Sequence, residues 1–339
     1  MPYDLSGRLV VGIASSALFD LTESHAVFDS QGEDEYRKYQ EEHIDDTLSP
    51  GVAFPFIKRL LSLNDLTDDG DPLVEVIVLS RNDPDTGLRV MKSIETYGLQ
   101  ITRAVFMQGR SPYRFMPAFN MSLFLSANKE DVKEAVEGNL PAGQVLPSPS
   151  VDDDPSGDLR IAFDFDGVLA SDESEKIMQE TGDLKAFHAH ETANITTPHH
   201  PGPLKTFLAA INRIQDREEA RRLEDRSYRI RLHVALVTAR NAPSHARAVK
   251  SLKEWGVRVN DAFFLGGVPK ANVLEILKPH IFFEDQEGHL ELASEVAPSV
   301  HIPFGVANQS PSPTPPESGL TDIRTLEYHA PEGARMGHD

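Results

Sequence analysis

The 339-residue chain contains no cysteine. Disulfide bonds, a thiolate nucleophile and thiolate metal ligands are therefore excluded. Long apolar runs are also missing, since no stretch approaches the roughly 20 residues that a membrane-spanning helix needs. The first residues, MPYDLSGRLVVGIASS, lack the basic and long apolar segments of a signal peptide. We therefore expect a cytoplasmic protein without a membrane partner.

Basic clusters are the third absence. The chain has 33 Lys and Arg against 53 Asp and Glu, a formal net charge of −20, and its most basic stretch, REEARRLEDRSYRIR, is interleaved with acids. Binding to a nucleic acid backbone requires clustered cations, so we expect no nucleic acid partner. The oligomeric state stays open, and a homo-oligomer is one of the alternatives.

The composition is that of a globular protein, with 40% hydrophobic and 25% charged residues. At roughly 150 residues per domain, the length predicts two domains. Two segments lack a packing pattern: LPAGQVLPSPSVDDDPSGD (140–158) is predicted to be a linker, and NQSPSPTPPESG (308–319) opens a tail expected to be disordered.

The two halves of the chain resemble each other. The segment VIVLSRNDPDTGLRVMKSIETYGLQI (76–101) aligns without a gap with VALVTARNAPSHARAVKSLKEWGVRV (234–259), at an offset of 158 residues. At the same offset, AVFMQG (104–109) matches AFFLGG (262–267) and LFLSANKE (123–130) matches IFFEDQEG (281–288). We interpret this as a domain-length internal duplication.

Each half alternates short β-branched runs with helical periodicity, and in the first half strands are predicted at 9–14, 74–80 and 103–107. This alternation predicts an α/β fold with mainly parallel sheets, in two Rossmann-like lobes. The predicted organisation is a first lobe (1–139), the linker (140–158), a second lobe (159–307) with a cap insertion at about 172–230, and the tail (308–339).

In such sheets ligands bind beyond the carboxyl ends of the strands. In the second half, chemically active side chains follow the apolar runs: Asp164 and Asp166, then Thr238, then Lys270, then Glu284 and Asp285. Residues two apart on an extended strand end project to the same side, so the first two carboxylates share one site, and Gly167 allows a tight turn after them. Their repulsion calls for a cation between them.

Mg²⁺ suits such a site because it prefers oxygen ligands, and Asp164, Asp285 and the carbonyl of Asp166 are sufficient. One carboxylate then attacks phosphorus, and the other protonates the leaving oxygen and later activates water. Lys270 and the Thr238 hydroxyl hold the phosphate oxygens.

Two other stretches of the sequence resemble metal sites. The acids from Asp164 to Glu175 match several EF-hand ligand positions, but Leu169 stands where that loop needs glycine, and a strand precedes it. The histidine-rich segment FHAHETANITTPHHPG has no cysteine and no helical ligand spacing. A surface or substrate-lining loop is the preferred interpretation of that segment.

The motifs FDFDGVLASDESE, LVTAR, GVPK and IFFEDQ look like the four motifs of the haloacid-dehalogenase superfamily of phosphohydrolases. More narrowly, SSALFDL, YQEEHIDDTLSPGVAFPFIKRL, GPLK, HIFFEDQ and PFGVA resemble the cytosolic 5′-nucleotidase type I family, over about residues 8 to 307. The resemblance implies a haloacid-dehalogenase-type fold and Mg²⁺-dependent hydrolysis of nucleoside 5′-monophosphates, such as AMP, IMP or deoxynucleotides, through an aspartyl-phosphate.

Carried over by motif, the resemblance implies these roles: Asp164 as nucleophile, Asp166 as acid/base, Thr238 and Lys270 as phosphate ligands, and Asp164, Asp166 and Asp285 at the metal. The sequence reads FEDQ where the family pattern has two aspartates, which leaves open only a secondary role of Glu284. Three weaker substrate candidates are Asp172, Lys205 and Arg240.

The first half lacks these catalytic, phosphate-binding and metal-binding side chains. The positions that match the six active side chains of the second half hold Ala14, Ser16, Ser80, Pro112, Ser126 and Ala127. We therefore predict a non-catalytic lobe. Two alternatives to the nucleotidase remain: a phosphatase of the same mechanism acting on another small ester, and a nucleotide-binding regulatory protein with vestigial hydrolysis.

Overall fold

The computed structural model describes residues 3–67, 71–149 and 156–308, leaving aside the side chains of residues 178–181 and 184. Its first half contains β1 (Leu9–Ile13), α1 (Ser15–Leu18), α2 (Thr22–Gln31), α3 (Glu33–Glu42), α4 (Phe54–Ser62), β2 (Val74–Ser80), α5 (Pro84–Thr96), β3 (Arg103–Phe106), β4 (Leu123–Ser126), α6 (Lys129–Glu137) and β5 (Ala142–Val145).

The second half shows a similar alternation of strands and helices. It contains β6 (Leu159–Phe163), α7 (Glu173–Thr181), α8 (Leu184–Ala193), α9 (Lys205–Glu224), β7 (Leu232–Thr238), α10 (His245–Glu254), β8 (Asp261–Phe264), α11 (Lys270–Leu277), β9 (Ile281–Glu284), α12 (Glu287–Ala293) and β10 (Ser299–His301). The apolar runs form the strands because both faces of a helix-covered parallel sheet are buried.

The ten described strands form one sheet in the order β3-β2-β1-β4-β5-β10-β9-β6-β7-β8. Neighbouring strands are parallel except at the junction of the two halves, where β5 and β10 pair antiparallel with Val145 opposite Val300. The order of the first five strands is therefore repeated, in the opposite sense, by the last five. The predicted α/β fold with a largely parallel sheet is confirmed.

The strand β5 lies inside the segment that the sequence analysis assigned to a linker. Its first residue, Ala142, is fully buried and pairs with Phe124 of β4. Four residues of the 140–158 segment therefore belong to the sheet. Residues 150–155 of that segment, and all but Asn308 of the expected disordered tail, lie outside the described residues.

Two layers of side chains cover the sheet. On one face the apolar core runs continuously through both halves, from Val11 and Ile57 in the first to Phe163 and Phe207 in the second. On the other face each half has a separate core. Since residues alternate between faces along a strand, Val10 packs in a different core from Val11. The described residues up to Asn308 form one compact unit.

Among the described residues, no helix combines the length and apolar character needed to cross a bilayer. The longest, α9, carries charged residues along most of its course and packs one side on the continuous core.

Candidate active site

The carboxyl ends of β6, β7 and β9 bring the predicted site residues together. Asp164 directly follows β6, and its amide donates to the carbonyl of Phe283 in β9 at 2.9 Å. Thr238 is the last residue of β7, and Lys270 is the first of α11. These three side chains are buried. Parallel strands end at the same edge of the sheet, and for that reason residues more than 100 positions apart in the sequence meet here.

A buried ammonium holds two of the carboxylates. The Nζ atom of Lys270 lies 3.0 Å from Asp164 Oδ1 and 2.5 Å from Glu284 Oε2. Burial alone would lower the pKa of Lys270, but the charges of Asp164 and Glu284 outweigh it and raise this pKa above its usual range. Lys270 therefore stays positively charged in the site.

A third carboxylate is left without compensation. Carboxyl oxygens of Asp164, Glu284 and Asp285 all lie within 4.8 Å of one another. Burial, followed by the charges of Glu284 and Asp164, raises the pKa of Asp285 to about 10. Burial likewise raises the pKa of Asp164 to about 7, although Lys270 opposes the shift. For Glu284, Lys270 overcomes the effect of burial and lowers the pKa to about 2.

These carboxylates fit a divalent cation. The buried Oδ1 atom of Asp285 has no hydrogen-bond partner among the described residues, and crowded acids of this kind require a proton or a cation between them. Hard cations prefer carboxylate oxygen. Glu284, to which the sequence analysis gave only a secondary role, belongs to this group, whereas the carboxylate of Asp166 is turned to another partner.

The turn after β6 leaves room for only one residue type. Gly167 has φ +68°, in the left-handed region, and a Cβ atom at this position would collide with the carboxylate of Asp285. Glycine is required on both counts. The turn thus brings its backbone against the cluster and fixes where the Asp285 side chain can lie.

The partner of Asp166 is Arg240, which follows β7. Its Nε and Nη2 atoms donate to the two oxygens of Asp166 at 2.7 and 2.6 Å. The same guanidinium donates to Ser174 Oγ at 3.0 Å and pairs with Glu191. Arg240 was predicted as a substrate candidate. Through these contacts its guanidinium holds Asp166, and a contact of Arg240 with substrate stays a prediction.

Glu191, from α8, connects two arginines. It accepts from Arg240 and, at 3.0 Å, from Nη1 of Arg247 in α10. Burial alone would raise its pKa, but the hydrogen bond from His199 and the charge of Arg240 hold that pKa well below its usual range. Sequence reasoning missed Glu191, because nothing in the sequence around it marks an acid that pairs with residues about 50 positions away.

The histidine-rich segment, predicted to be a surface or substrate-lining loop, is only partly a loop. Its first part is helical, as α8, and His199 is buried. The Nδ1 atom of His199 lies 2.9 Å from Ser251 Oγ, and its Nε2 atom lies 3.2 Å from Ser174 Oγ. These contacts join His199 to α10 and α7, so both of its ring nitrogens contact protein hydroxyl groups.

The other two substrate candidates lie elsewhere. The carboxylate of Asp172 accepts from the amide of Val306 at 2.8 Å and pairs with Lys176 at 3.3 Å, so it fastens the chain near Asn308 to the start of α7. Lys205 is the first residue of α9 and is half-buried. Neither lines the cavity beside Asp164.

That cavity has a volume of about 140 Å³ and is open on one side. Besides the predicted Asp164, Asp166, Thr238 and Arg240, it is lined by residues that the sequence analysis had not selected: Glu175, Phe187, Ala239, Asn241, Gln286 and His289. Of these, His289 places Nδ1 3.2 Å from Glu284 Oε1. Three of these residues stand in the quoted motifs, Glu175 in FDFDGVLASDESE, Ala239 in LVTAR and Gln286 in IFFEDQ, but the motifs assigned them no role.

A parallel α/β sheet with buried carboxylates and a lysine at its carboxyl edge defines a class of α/β proteins equipped to hold a cation and an anionic group together. Within that class, the chain belongs to the 5′-nucleotidase family, whose family model matches residues 1–309.

The chain is 34% identical over 293 residues to the human (Homo sapiens) protein named cytosolic 5′-nucleotidase 1B. The match covers 85% of this chain and 47% of that protein, so the chain spans about half the length of this curated relative. No solved structure matches the chain. The resemblance found in the sequence motifs is confirmed at the level of the family.

Proposed function

We propose that the chain hydrolyses nucleoside 5′-monophosphates to a nucleoside and inorganic phosphate. One observation carries this proposal: Asp164, aligned with the nucleophile of the family motif, lies in a buried cavity within 3.0 Å of the Lys270 ammonium and beside Glu284 and Asp285. The family and the name of the human relative support the same reaction. As in that relative's name, we expect a cytosolic location.

Binding of the phosphate falls to Thr238 and Lys270. Thr238 lines the cavity, and Lys270 carries a positive charge 3.0 Å from Asp164, which also lines it. Ligand pockets usually enclose roughly 300–1,000 Å³, so about 140 Å³ suits the phosphate group better than a whole nucleotide. The nucleoside then extends through the open side, next to Phe187.

Asp164 is the nucleophile. Its carboxylate oxygen attacks phosphorus, the bond from phosphorus to the nucleoside O5′ breaks, and an aspartyl-phosphate forms. Lys270 lowers the cost of an ionised Asp164 in this buried position. The geometry of the turn after β6 keeps the attacking oxygen at the cavity rather than in the core.

Asp166 moves the protons. It protonates the departing O5′, and then takes a proton from the water that attacks the aspartyl-phosphate, which releases phosphate and restores Asp164. Arg240 holds both oxygens of Asp166 at hydrogen-bond distance. Arg240 is therefore a positioning residue.

Mg²⁺ is the proposed cofactor. Asp164 and Asp285 would hold it, together with either the carboxylate of Glu284 or the backbone carbonyl of Asp166. When bound, such an ion neutralises charge on the phosphate oxygens in the transition state. The unpartnered oxygen of Asp285 is the feature of this chain that favours it.

We also infer the domain organisation from the sequence: lobes at 1–139 and 159–307 that arose by duplication, with a cap at about 172–230. Equivalent contacts in the two halves support this. Arg89 donates to the carbonyl of Asp46 at 2.9 Å, as Arg247 does to that of Thr197 at 2.8 Å. The amide of Leu48 donates to Ser93 Oγ in the first half, as the amide of His199 donates to Ser251 Oγ in the second. The isolated β-bridge Phe19–Pro50 in the first half likewise matches the bridge Ala170–Pro201 in the second.

The test is phosphate release from AMP, IMP, dCMP and a sugar phosphate, with Mg²⁺ or with EDTA. Wild-type protein is compared with Asp164→Asn and with Asp261→Asn, a control at an exposed position. We expect release from nucleotides with Mg²⁺ only, lost in Asp164→Asn and retained in the control.

The small cavity favours one competing function, a phosphatase of the same mechanism for compact esters. Faster release from the sugar phosphate than from every nucleotide would support that function. Nucleotide binding without any turnover would instead indicate the regulatory alternative.

A further inference from the structure

The first half carries two adjoining cavities at the edge of the sheet that corresponds to the active site. They have volumes of about 300 and 380 Å³ and share His25, Arg81, Asn82 and Asn128 in their linings. Both exceed the cavity beside Asp164. The smaller of the two is lined by small side chains at positions where the second half has acids: Ala14, Ser16, Ser126 and Ala127.

We call the cavity of about 300 Å³, which contains Ser80, the inner cavity, and the cavity of about 380 Å³, which contains Phe28, the outer cavity. The inner cavity lacks the crowded carboxylates of the second half but is lined by hydroxyl groups. Ser80 stands where the second half has Thr238, and its Oγ lies 2.9 Å from Ser15 Oγ and accepts from the amide of Asn82 at 3.1 Å. Asn82 in turn occupies the position of Arg240. The polar surface of this cavity thus consists largely of neutral donors and acceptors.

The charges that face the two cavities are balanced in pairs. Arg81 donates to both oxygens of Asp131, with a shortest distance of 2.7 Å. Arg37 pairs with Asp83 at 3.0 Å and with Glu33 at 2.8 Å. In contrast to Asp285, none of the acids that line these two cavities lacks a partner among the described residues, so nothing here requires a metal ion.

Two helices begin at these cavities. Asp83 caps the 13-residue helix α5, and Asn128 caps the nine-residue helix α6. Both cap residues line the cavities. The caps use the amides of Thr86 and Asp131, and the partial positive charge of a helix N-terminus favours an anionic group such as a phosphate.

An exposed aromatic ring completes the outer cavity. Phe28 is 47% exposed although it lines this cavity, and it meets Tyr36 edge to face at a centroid distance of 5.8 Å. A solvent-facing ring beside polar groups provides a stacking surface for a planar base. Together the two cavities therefore offer hydroxyl groups in the inner cavity, two helix N-termini, and an aromatic face in the outer cavity.

We propose that this pair of cavities binds a nucleoside monophosphate without a metal ion. The phosphate lies in the inner cavity near Ser16 and Ser80, and the base lies against Phe28. This site is separate from the proposed catalytic site and does not depend on its chemistry.

The experiment measures AMP binding by isothermal titration calorimetry in EDTA, with the Asp164→Asn protein so that no turnover occurs. Two further substitutions are added separately to this background. Ser16→Asp restores the acid of the catalytic half and repels phosphate, and Phe28→Ala removes the stacking surface. The matched controls are Ser6→Asp and Phe115→Ala, both at exposed positions outside the two cavities.

We expect one AMP per chain in the background protein, and a loss of affinity of about tenfold or more in Ser16→Asp and in Phe28→Ala. The controls should stay within about twofold of the background. Absence of AMP binding in EDTA would overturn the proposal. So would binding that neither Ser16→Asp nor Phe28→Ala weakens, because the nucleotide would then lie elsewhere.

Discussion

At the scale of single residues, Lys270 balances the charge of the buried cluster. It is the cation in contact with both Asp164 and Glu284. Its replacement by methionine leaves buried carboxylates without a counterion, which typically costs about 3–5 kcal/mol. We expect Lys270→Met to lower the urea midpoint strongly at pH 7.5 in EDTA. The matched control is Lys250→Met, which removes an exposed pair with Glu254 and should change stability by less than about 1 kcal/mol.

Added Mg²⁺ should recover part of that loss, because an ion that binds only the folded state stabilises it. Equal midpoints for wild type and Lys270→Met would contradict the charge balance described for this cluster.

Glu191 allows a test of how Asp166 is positioned. In the first half the equivalent contact is made by a neutral residue, since Arg89 donates to Gln40 at 3.2 Å. Glu191→Gln therefore keeps a side chain that the fold accepts and removes the negative charge that pairs with Arg240 and Arg247. We expect kcat of the proposed hydrolysis to fall by about tenfold or more with little change in KM. Glu173→Gln, which affects Arg247 but not Arg240, should leave both constants nearly unchanged.

The same residue predicts a pH dependence of stability. The pKa of Glu191 in the folded protein lies below its usual value of 4.5. The folded state thus binds fewer protons than the unfolded state below pH 4.5, and the stability that Glu191 contributes is present above that pH and lost as the pH falls further. The difference in urea midpoint between wild type and Glu191→Gln should be constant from pH 7 to 5 and shrink below 4.5. A difference that does not vary with pH would argue against an ionised Glu191.

At the scale of elements, the turn after β6 controls the position of Asp285. Gly167→Ala introduces a Cβ atom into the space of the Asp285 carboxylate. We expect the proposed activity to be lost while the far-ultraviolet circular dichroism spectrum is retained. Gly256→Ala is the control, since Gly256 has φ +65° with no atom near the added Cβ, so it reports the backbone strain alone. Equal loss in both variants would show that strain, not the collision, is responsible.

Elements also show what the sequence could predict. The strands expected at 9–14, 74–80 and 103–107 are found at Leu9–Ile13, Val74–Ser80 and Arg103–Phe106, because long buried runs of β-branched residues have few alternatives. The strand β5 was missed because AGQV is short and flanked by prolines. It is held in the sheet by partners on both sides, β4 and β10, and local sequence does not encode those partners.

The candidate active site likewise contains residues that the sequence could predict and contacts that it could not. Residues placed directly after apolar strands, such as Asp164 and Thr238, could be predicted because the topology of parallel sheets brings strand ends together. The ion pairs of Glu191 with Arg240 and Arg247 could not be predicted. Glu191 lies on α8, between β6 and β7, whereas both arginines follow β7, and pairing across such a distance depends on the packed structure rather than on spacing in the sequence.

At the scale of the whole molecule, one continuous core links the two halves. Val11 and Phe163 belong to the same cluster of buried side chains, and the sheet crosses the junction at β5 and β10. We expect a single cooperative unfolding transition. Trp255, the one tryptophan in the sequence, lies in the second half, so its fluorescence should change at the same urea concentration as the circular dichroism of the entire chain. Two separated transitions would indicate halves that unfold independently.

The junction between the halves also carries a pair of unlike residues. Lys129 begins α6, Glu287 begins α12, and the two stand at equivalent positions of the halves, with Nζ 3.4 Å from Oε1. In a symmetric pair of identical subunits, a residue on the two-fold axis faces its own copy, and a lysine there would meet a lysine. A single continuous polypeptide is free of this constraint. Its two halves can therefore carry residues of opposite charge at equivalent positions, as Lys129 and Glu287 do. In the same way, one half can carry the acids of the candidate active site while the other half has neutral residues at the matching positions.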